Sequence, residues 1–529
     1  MGSWWSKGVT AAVLLAAACG GGSGGSGGGE TIVVGMRSDF SGFNSITNSS
    51  LYTSEVINYA LFTPLIQYDD NLQPEPYLAE SWTEEGDTAV VFTLRSDVRW
   101  HDGQPVTAED VKWTFDMAKD PASASLIGSA FLGKVASAEV LDPQTVRFVY
   151  SQPHAQALED FWWAPMPRHL LQDVAAADLR NAEFNRNPVG SGPFRFVEWR
   201  ANDRLVLEPA EDFPEALGGP ARATRVVFRI VPEAATLLTE LITGGVHVNI
   251  PVLPEQASRI ESSGEAELHS FPGRTVYFLG WNNEREPFTD PALRRALAMG
   301  INRQEIIDAL LHGEGELAEG TIPPWHPLNP AVEALAYDPD QARSLLEAAG
   351  WTDGNGDQIR ARNGQPLAFT VLTSDDALRR AVVEVLQSQL RALGADVEIR
   401  VMEFQTMLAA HKSRDYDAVF TNWVLDNFQM ASSPAALFHS DLADEAESTN
   451  RSAVRIPALD RLIERGAAAT DPDEARQLWA DFTRVLQREQ PVTFMFWLNE
   501  LAATRNEISG VTMDPRGELL TMPQWTLGG

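Results

Sequence analysis

The sequence predicts an α/β protein built as two lobes, and three observations carry that prediction. Two strand–helix–strand units, Arg225 to Ile250 and Leu367 to Val401, stand far apart in the chain. Such units predict parallel strands flanked by helices, and their distance in the chain points to two separate α/β lobes. The 529 residues, 44% of them hydrophobic, exceed one compact domain and correspond to roughly three by length. Between the units, helix start and stop signals follow one another without a disordered stretch.

Taken in order, Thr31 to Met36 is apolar and β-branched and reads as a strand, as do Ala89 to Leu94 and Gln144 to Tyr150. Trp100 to Val111 turns into a helix, with Thr107 as N-cap and Glu109 and Asp110 in the first turn. In the first unit a strand, Arg225 to Val231, leads through Pro232 into a helix that ends near Ile242. Gly244-Gly245 stops it, and Val246 to Ile250 is the second strand. In the second unit the strand Leu367 to Leu372 precedes a helix from Asp375 to Leu393. Gly394 closes that helix and Val397 to Val401 follows as a strand. Asp290-Pro291, Asn302 to Glu305 and Asp338-Pro339 carry the residue types of helix N-termini.

The start of the chain reads differently. Lys7 precedes an apolar run from Val9 to Ala18, about half the roughly 20 residues a membrane-spanning helix needs. This is the pattern of a secretory signal peptide, residues 1–18. Leu15-Ala16-Ala17-Ala18-Cys19 resembles a bacterial lipoprotein box, with the leucine displaced by one place, so Cys19 is the expected lipidation site. Residues 19–30 are nearly all Gly and Ser, a flexible tether. Cys19 is the one cysteine, which excludes an internal disulfide.

The formal net charge is −32 and the isoelectric point is near 4.6. Such a surface repels nucleic acid and anionic headgroups, so neither is an expected partner. The nine His are scattered, and none pairs at helical spacing with another His or with Cys, so no metal site and no cofactor is expected. Asp353 to Asp357 begins like a calcium loop, but Gln358 and Gly364 replace the required Gly and Glu. A glycine match to a dinucleotide fingerprint at Gly20, Gly22 and Gly25 has no preceding strand, and Gly190-Ser191-Gly192 is no nucleophile elbow. No catalytic residue is assigned, and the chain is expected not to be an enzyme.

Several segments resemble one family. FTLRSDVRWHDGQPVTAEDV (Phe92 to Val111) is the most specific. LFTPL (Leu61 to Leu65) with LQPEPYLAESW (Leu72 to Trp82), PVGSGPFRFVEW (Pro188 to Trp199), the stretch Tyr277 to Ile306 and the stretch Tyr337 to Trp351 follow in family order. The chain is identified by them as a member of the extracellular solute-binding proteins of the oligopeptide, dipeptide and nickel class, which serve ABC importers. The resemblance implies the bilobal periplasmic-binding-protein fold in its three-domain, peptide-binding form, with mixed sheets flanked by helices. Residues 31–60, 185–275 and 499–529 would form domain I, 61–184 domain II and 276–498 domain III. Arg274 to Trp281 and Val492 to Leu498 would be the extended crossings between lobes that close on the ligand by hinge motion.

The resemblance also implies a site. In peptide-binding members a Gly-Trp-x-x-Asp-like segment lines the cleft, and its aspartate takes the peptide ammonium. The matching residues are Asn422, Trp423, Val424 and Asp426, with Asn422 in place of glycine. A buried carboxylate needs a cationic partner, which an incoming ammonium supplies. Ser38, Phe43 and Asn44 follow the first strand, where members contact ligand, while Trp281, Asn282 and Trp497 lie on the crossings. No arginine for a peptide carboxylate stands out. The implied protein is a monomeric receptor for short peptides, lipid-anchored in the periplasm or on the outer face of the cytoplasmic membrane, with permease and ATPase subunits as partners. Fifteen Trp keep an oligosaccharide ligand open. A chemosensory role would share the fold, and a secreted hydrolase would need a nucleophile–base pair that the sequence does not show.

Overall fold

A computed structural model describes residues 31–48, 50–86, 88–130, 132–151, 157–425, 432–445 and 448–528. The lipidation candidate Cys19 and the ammonium-binding candidate Asp426 lie outside the described residues. Eleven of the described strands form one mixed sheet. At its centre two long strands, Ala266–Trp281 and Val492–Arg505, pair antiparallel. Outward from Ala266–Trp281 come Ala418–Val424, Ala368–Ser374 and Asp396–Met402. Outward from Val492–Arg505 come Val248–Ile250, Thr31–Met36, Arg225–Ile230, Arg204–Pro209 and Phe194–Arg200. The two expected strand–helix–strand units therefore sit on opposite flanks of the central pair. Both are parallel as predicted: Thr31–Met36 runs parallel to Arg225–Ile230 and Val248–Ile250, and Ala368–Ser374 to Asp396–Met402.

Local chemistry accounts for the helix ends. The helix Ala234–Thr243 stops because Gly244 takes φ +85°, a left-handed conformation that returns its N–H to the carbonyls of Glu240 and Leu241. It starts at Ala234, two residues after the expected Pro232. Thr107 and Asp110 close a capping box on the helix Ala108–Lys119, the Thr107 N–H donating to Asp110 Oδ2 over 2.9 Å. Asp290, Asn302 and Asp338 each accept a backbone N–H of the helix they precede. Asp353 spends its carboxylate on the N–H groups of Gly356 and Gln358, which makes the calcium-like loop a self-contained turn. No cluster of three metal-ligating side chains occurs among the described residues, and no described helix is long and apolar enough to cross a membrane.

Strand alternation distributes the cores. Trp281 and Phe496 point to one face of the sheet with Leu297, Val371 and Phe420, while Val276, Phe278, Phe494 and Trp497 point to the other with Trp479. A separate antiparallel sheet, Ala79–Glu84, Ala89–Leu94, Thr145–Tyr150 and Val135–Asp142, shares its core with the strand Thr31–Met36. The tail returns to this same core, where Trp525 is fully buried.

Candidate functional site: the cavity at the crossing strands

The pairing of the two long strands slips where they leave one flank for the other. Pro272 faces Asn499 and Thr275 faces Leu498, so Gly273 and Arg274 form a bulge. Only glycine fits at 273, because a Cβ there would stand 2.3 Å from the Leu498 carbonyl oxygen. The Gly273 carbonyl accepts from Trp325 Nε1 over 3.0 Å, and the Arg274 carbonyl accepts from the Leu425 N–H over 2.9 Å. The bulge thus ties the crossing to the end of the strand Ala418–Val424.

A cavity of about 280 Å³ opens above the bulge. One wall is Ser45 to Asn58, in which the short helix Leu51–Glu55 runs on into a π-helical stretch, Val56–Leu61. Another wall carries Leu126, Ile127, Trp162 and Trp163, the third carries Val424 and Leu425, and Arg274 completes the lining. The polar wall is fixed by its own bonds: Asn48 Nδ2 donates to the Ser50 carbonyl and to Ser54 Oγ, and Ser45 Oγ to the Ala164 carbonyl. Asn58 Oδ1 is buried without a hydrogen-bond partner, an acceptor that a ligand donor can satisfy. Leu126 and Val424, 40% and 39% exposed, present apolar surface from two different walls.

Behind Arg274 lies a carboxylate cluster. Arg274 Nη2 is 3.6 Å from Glu55 Oε1, and Glu55 Oε2 accepts the Leu519 N–H over 3.0 Å. Burial pushes the carboxyl of Glu55 up. It pushes Glu518 well up, with the neighbouring Glu55 charge adding to it. Burial and then Glu518 push Glu500 up to about 7, against the pull of Arg274. Such carboxyls hold their protons more tightly in the folded chain than in the unfolded one. Their contribution to stability is full at acid pH and is lost as pH rises through the folded value, about 7 for Glu500. The urea midpoint is therefore expected to fall as pH rises through neutrality, and Glu500→Gln to flatten that fall. A midpoint independent of pH over this range would refute the assignment.

The residues nominated from sequence fall into two groups. Val424 lines the cavity. Trp423, its neighbour on the strand, pairs with Val276 and packs partly buried against the core of its flank, and Asn422 accepts from the Arg379 guanidinium. Ser38 is exposed on the loop after the first strand and is not part of the lining. Phe43 is fully buried among Phe40, Phe196 and Trp199. Asn44 is fully buried and gives its amide to Asn185 Oδ1 over 3.0 Å. Trp281 stacks on Phe288 and donates to Thr493 Oγ1, and Asn282 donates to the carbonyls of Arg414 and Tyr416. Trp497 is buried in the core that contains Trp479. None of these last five lines the cavity: strand alternation or a satisfied hydrogen bond holds each side chain in a core. Ser45, Asn48, Asn58, Trp162, Trp163 and Arg274 line the cavity without having been nominated. The Trp162-Trp163 pair and the polar cation at the head of an apolar crossing were the available signals.

A cavity that opens at the Arg274 bulge of one crossing strand, between the segment after the first strand, the Trp162-Trp163 wall and the end of Ala418–Val424, fits a two-lobed solute receptor. The chain belongs to the bacterial extracellular solute-binding proteins, family 5, whose model matches residues 73–444. The oligopeptide-binding protein AppA of Bacillus subtilis is 27% identical over 510 residues, spanning 94% of this chain and 91% of that protein. The dipeptide-binding protein of Escherichia coli is 25% identical over 513 residues, spanning 92% and 93%. The solved structure of Bacillus subtilis AppA in complex with a nonapeptide superposes with a TM-score of 0.76 at 26% identity, covering 94% of this chain and 99% of that one. NikA from Brucella suis in complex with Fe(III)-EDTA shares the fold, with a TM-score of 0.83 at 20% identity over 94% and 99%.

Proposed function

We propose that this chain is the receptor of an ABC importer that captures short peptides in the cavity above Gly273–Arg274 and hands them to a membrane permease. The observation that carries the reading is the cavity itself: it opens at the bulge of a crossing strand and is walled by segments far apart in the chain, 45–58, 126–163 and 424–425. Neutral amides and hydroxyls on one wall and tryptophans on another suit a peptide backbone with varied side chains, since main-chain recognition ignores side-chain identity. The peptide-binding names of the relatives support the same reading. In it, 31–60, 185–275 and 499–529 form domain I, 61–184 domain II and 276–498 domain III. The chain is a monomer without catalytic activity, tethered outside the cytoplasmic membrane through a lipid on Cys19, and Asp426 takes the peptide ammonium. Trp162 and Trp163 on the wall favour an oligosaccharide as the second reading.

A thermal-shift screen of peptides and oligosaccharides tests this. A bound solute at 100 times its dissociation constant adds about 2.7 kcal/mol of stability. Val424→Trp places a ring in the cavity from an exposed strand position, so it is expected to abolish the shift and leave the melting point of the free protein unchanged. A peptide shift that survives Val424→Trp would remove the cavity from the site, and shifts with oligosaccharides alone would establish the second reading.

A further inference from the structure

We infer that the chain carries a second binding site, apart from the cavity at the crossing strands, that takes a neutral saccharide. The site is a chamber of about 430 Å³, within the roughly 300–1,000 Å³ of small-molecule sites. Its lining comes from residues 58–77, Trp162, residues 193–222 and the tail residues 520–524. No described residue between 223 and 519 lines it, whereas Arg274, Val424 and Leu425 line the first cavity. The two cavities share only Asn58 and Trp162, which stand as a wall between them. The chamber therefore does not depend on the crossing strands, and the inference is independent of what the first cavity binds.

Its first ground is hydrogen-bonding capacity left unspent. Asn58 is 6% exposed, and its Oδ1 is buried without a hydrogen-bond partner. The π-helical stretch Val56–Leu61 carries it there, a backbone form frequent at functional sites. Gln67, Tyr77, Arg222 and Gln524 also line the chamber, and their side chains hydrogen-bond or ion-pair with no other group among the described residues. Burial pushes the Tyr77 phenol up, so it remains a donor. Primary amides donate and accept at once, as a sugar hydroxyl does. A buried polar atom without a partner costs free energy until a ligand or water satisfies it.

The second ground is the kind of surface. The chain has 73 acidic residues, yet no carboxylate lines the chamber among the described residues, and Arg222 is its one charged side chain. A cation would find no counter-charge there. Tyr59, Trp162 and Phe213 supply rings to the lining. Tyr59 and Trp162 pack with centroids 6.2 Å apart, and the Tyr59 hydroxyl donates to the Arg516 carbonyl over 2.6 Å, so these two rings are held in place. A sugar ring has apolar C–H faces and a rim of hydroxyls. Aromatic rings suit the faces and neutral amides suit the rim, while Arg222 donates to hydroxyl oxygens.

Calorimetric titration of the full chain with maltotriose, cellotriose and triacetylchitotriose tests this, and at least one is expected to bind. The variants stand away from the shared wall. Ala216→Trp enters the chamber from an exposed position. It is expected to abolish saccharide binding and to leave the thermal shift with peptides as in wild type. Val424→Trp, which fills the other cavity, is expected to keep the saccharide affinity within about twofold. Gln67→Leu and Gln524→Leu are each expected to weaken it by about two- to tenfold, and they decide should Ala216→Trp not fold. Saccharide binding that survives Ala216→Trp overturns the inference. Binding that Val424→Trp abolishes also overturns it and moves the sugar to the crossing strands. Failure of all three saccharides to bind overturns the inference and leaves the peptide reading standing.

Discussion

Arg303→Met is expected to destabilise the chain by about 3–5 kcal/mol. Arg303 opens the helix Arg303–Leu310 and is 6% exposed. Its Nη1 donates to the carbonyls of Ala318 and Phe494 at 2.8 and 2.9 Å, and its Nη2 to the Leu335 carbonyl at 2.8 Å. The same Nη2 stands 2.6 Å from Glu319 Oε1. One side chain thus joins a helix, two loop segments and a central strand of the sheet. Methionine fills much of the volume but leaves three carbonyls without a donor and the Glu319 carboxylate without its counter-charge. A buried charge that loses its partner is far costlier than the pair was stabilising. The double change Arg303→Met with Glu319→Gln should recover part of the loss, because Gln487 Nε2 already donates to Glu319 Oε2 and can serve an amide oxygen. Urea unfolding at unchanged m-value measures both. Equal midpoints for the single variant and the wild type would show that these bonds contribute nothing.

Trp281→Ala is expected to cost about 3–5 kcal/mol, the usual range for emptying a buried aromatic site. Trp281 is fully buried, stacks on Phe288 with centroids 4.9 Å apart and meets Phe369 edge-on at 6.0 Å. Its Nε1 donates to Thr493 Oγ1 across the central strand pair over 3.1 Å. Removing the indole opens a cavity and leaves that hydroxyl short of a donor. Solute affinity below the lowered melting point is expected to stay within about twofold of wild type, because Trp281 does not line the cavity. A variant of normal stability with weakened binding would return Trp281 to the ligand site.

These two residues show what the sequence made legible. Helix limits were legible because caps are local: Asp290, Asn302, Asp338 and Thr107 act within a few residues of themselves. The central strands were legible through the family resemblance, and the flanking parallel units through their strand–helix–strand rhythm. Side-chain direction on a strand was not. Trp281 and Val424 both stand on strands that meet at the crossing, yet one points into a core and the other into the cavity. The bulge at Gly273–Arg274 shifts that alternation by its own register break. Phe43 and Asn44 look from sequence like polar and aromatic ligand contacts near the first strand, but Phe40, Trp199 and Asn185 claim them. The glutamates behind Arg274 were out of reach for another reason. Glu55 bonds to a backbone group 464 residues away, and no local pattern encodes such a meeting.

The return of the tail to the first strand's core constrains how the molecule is assembled in time. Thr31–Met36 needs Arg225–Ile230 and Val248–Ile250 as neighbours, and Val248–Ile250 needs Thr504 and Ala503. Ala503 and Thr504 lie far along the chain from Val248–Ile250, and Trp525 further still. Contacts of this span make loop closure slow and entropically costly. Until then the edge of Val248–Ile250 carries unpaired backbone groups, a template for pairing with another chain. On the other flank Ala368–Ser374 pairs with Asp396–Met402 and Ala418–Val424, which lie close by in the chain. The first strand finds both its sheet neighbours by Ile250, but the core it shares with Trp525 closes only when the tail folds back onto it.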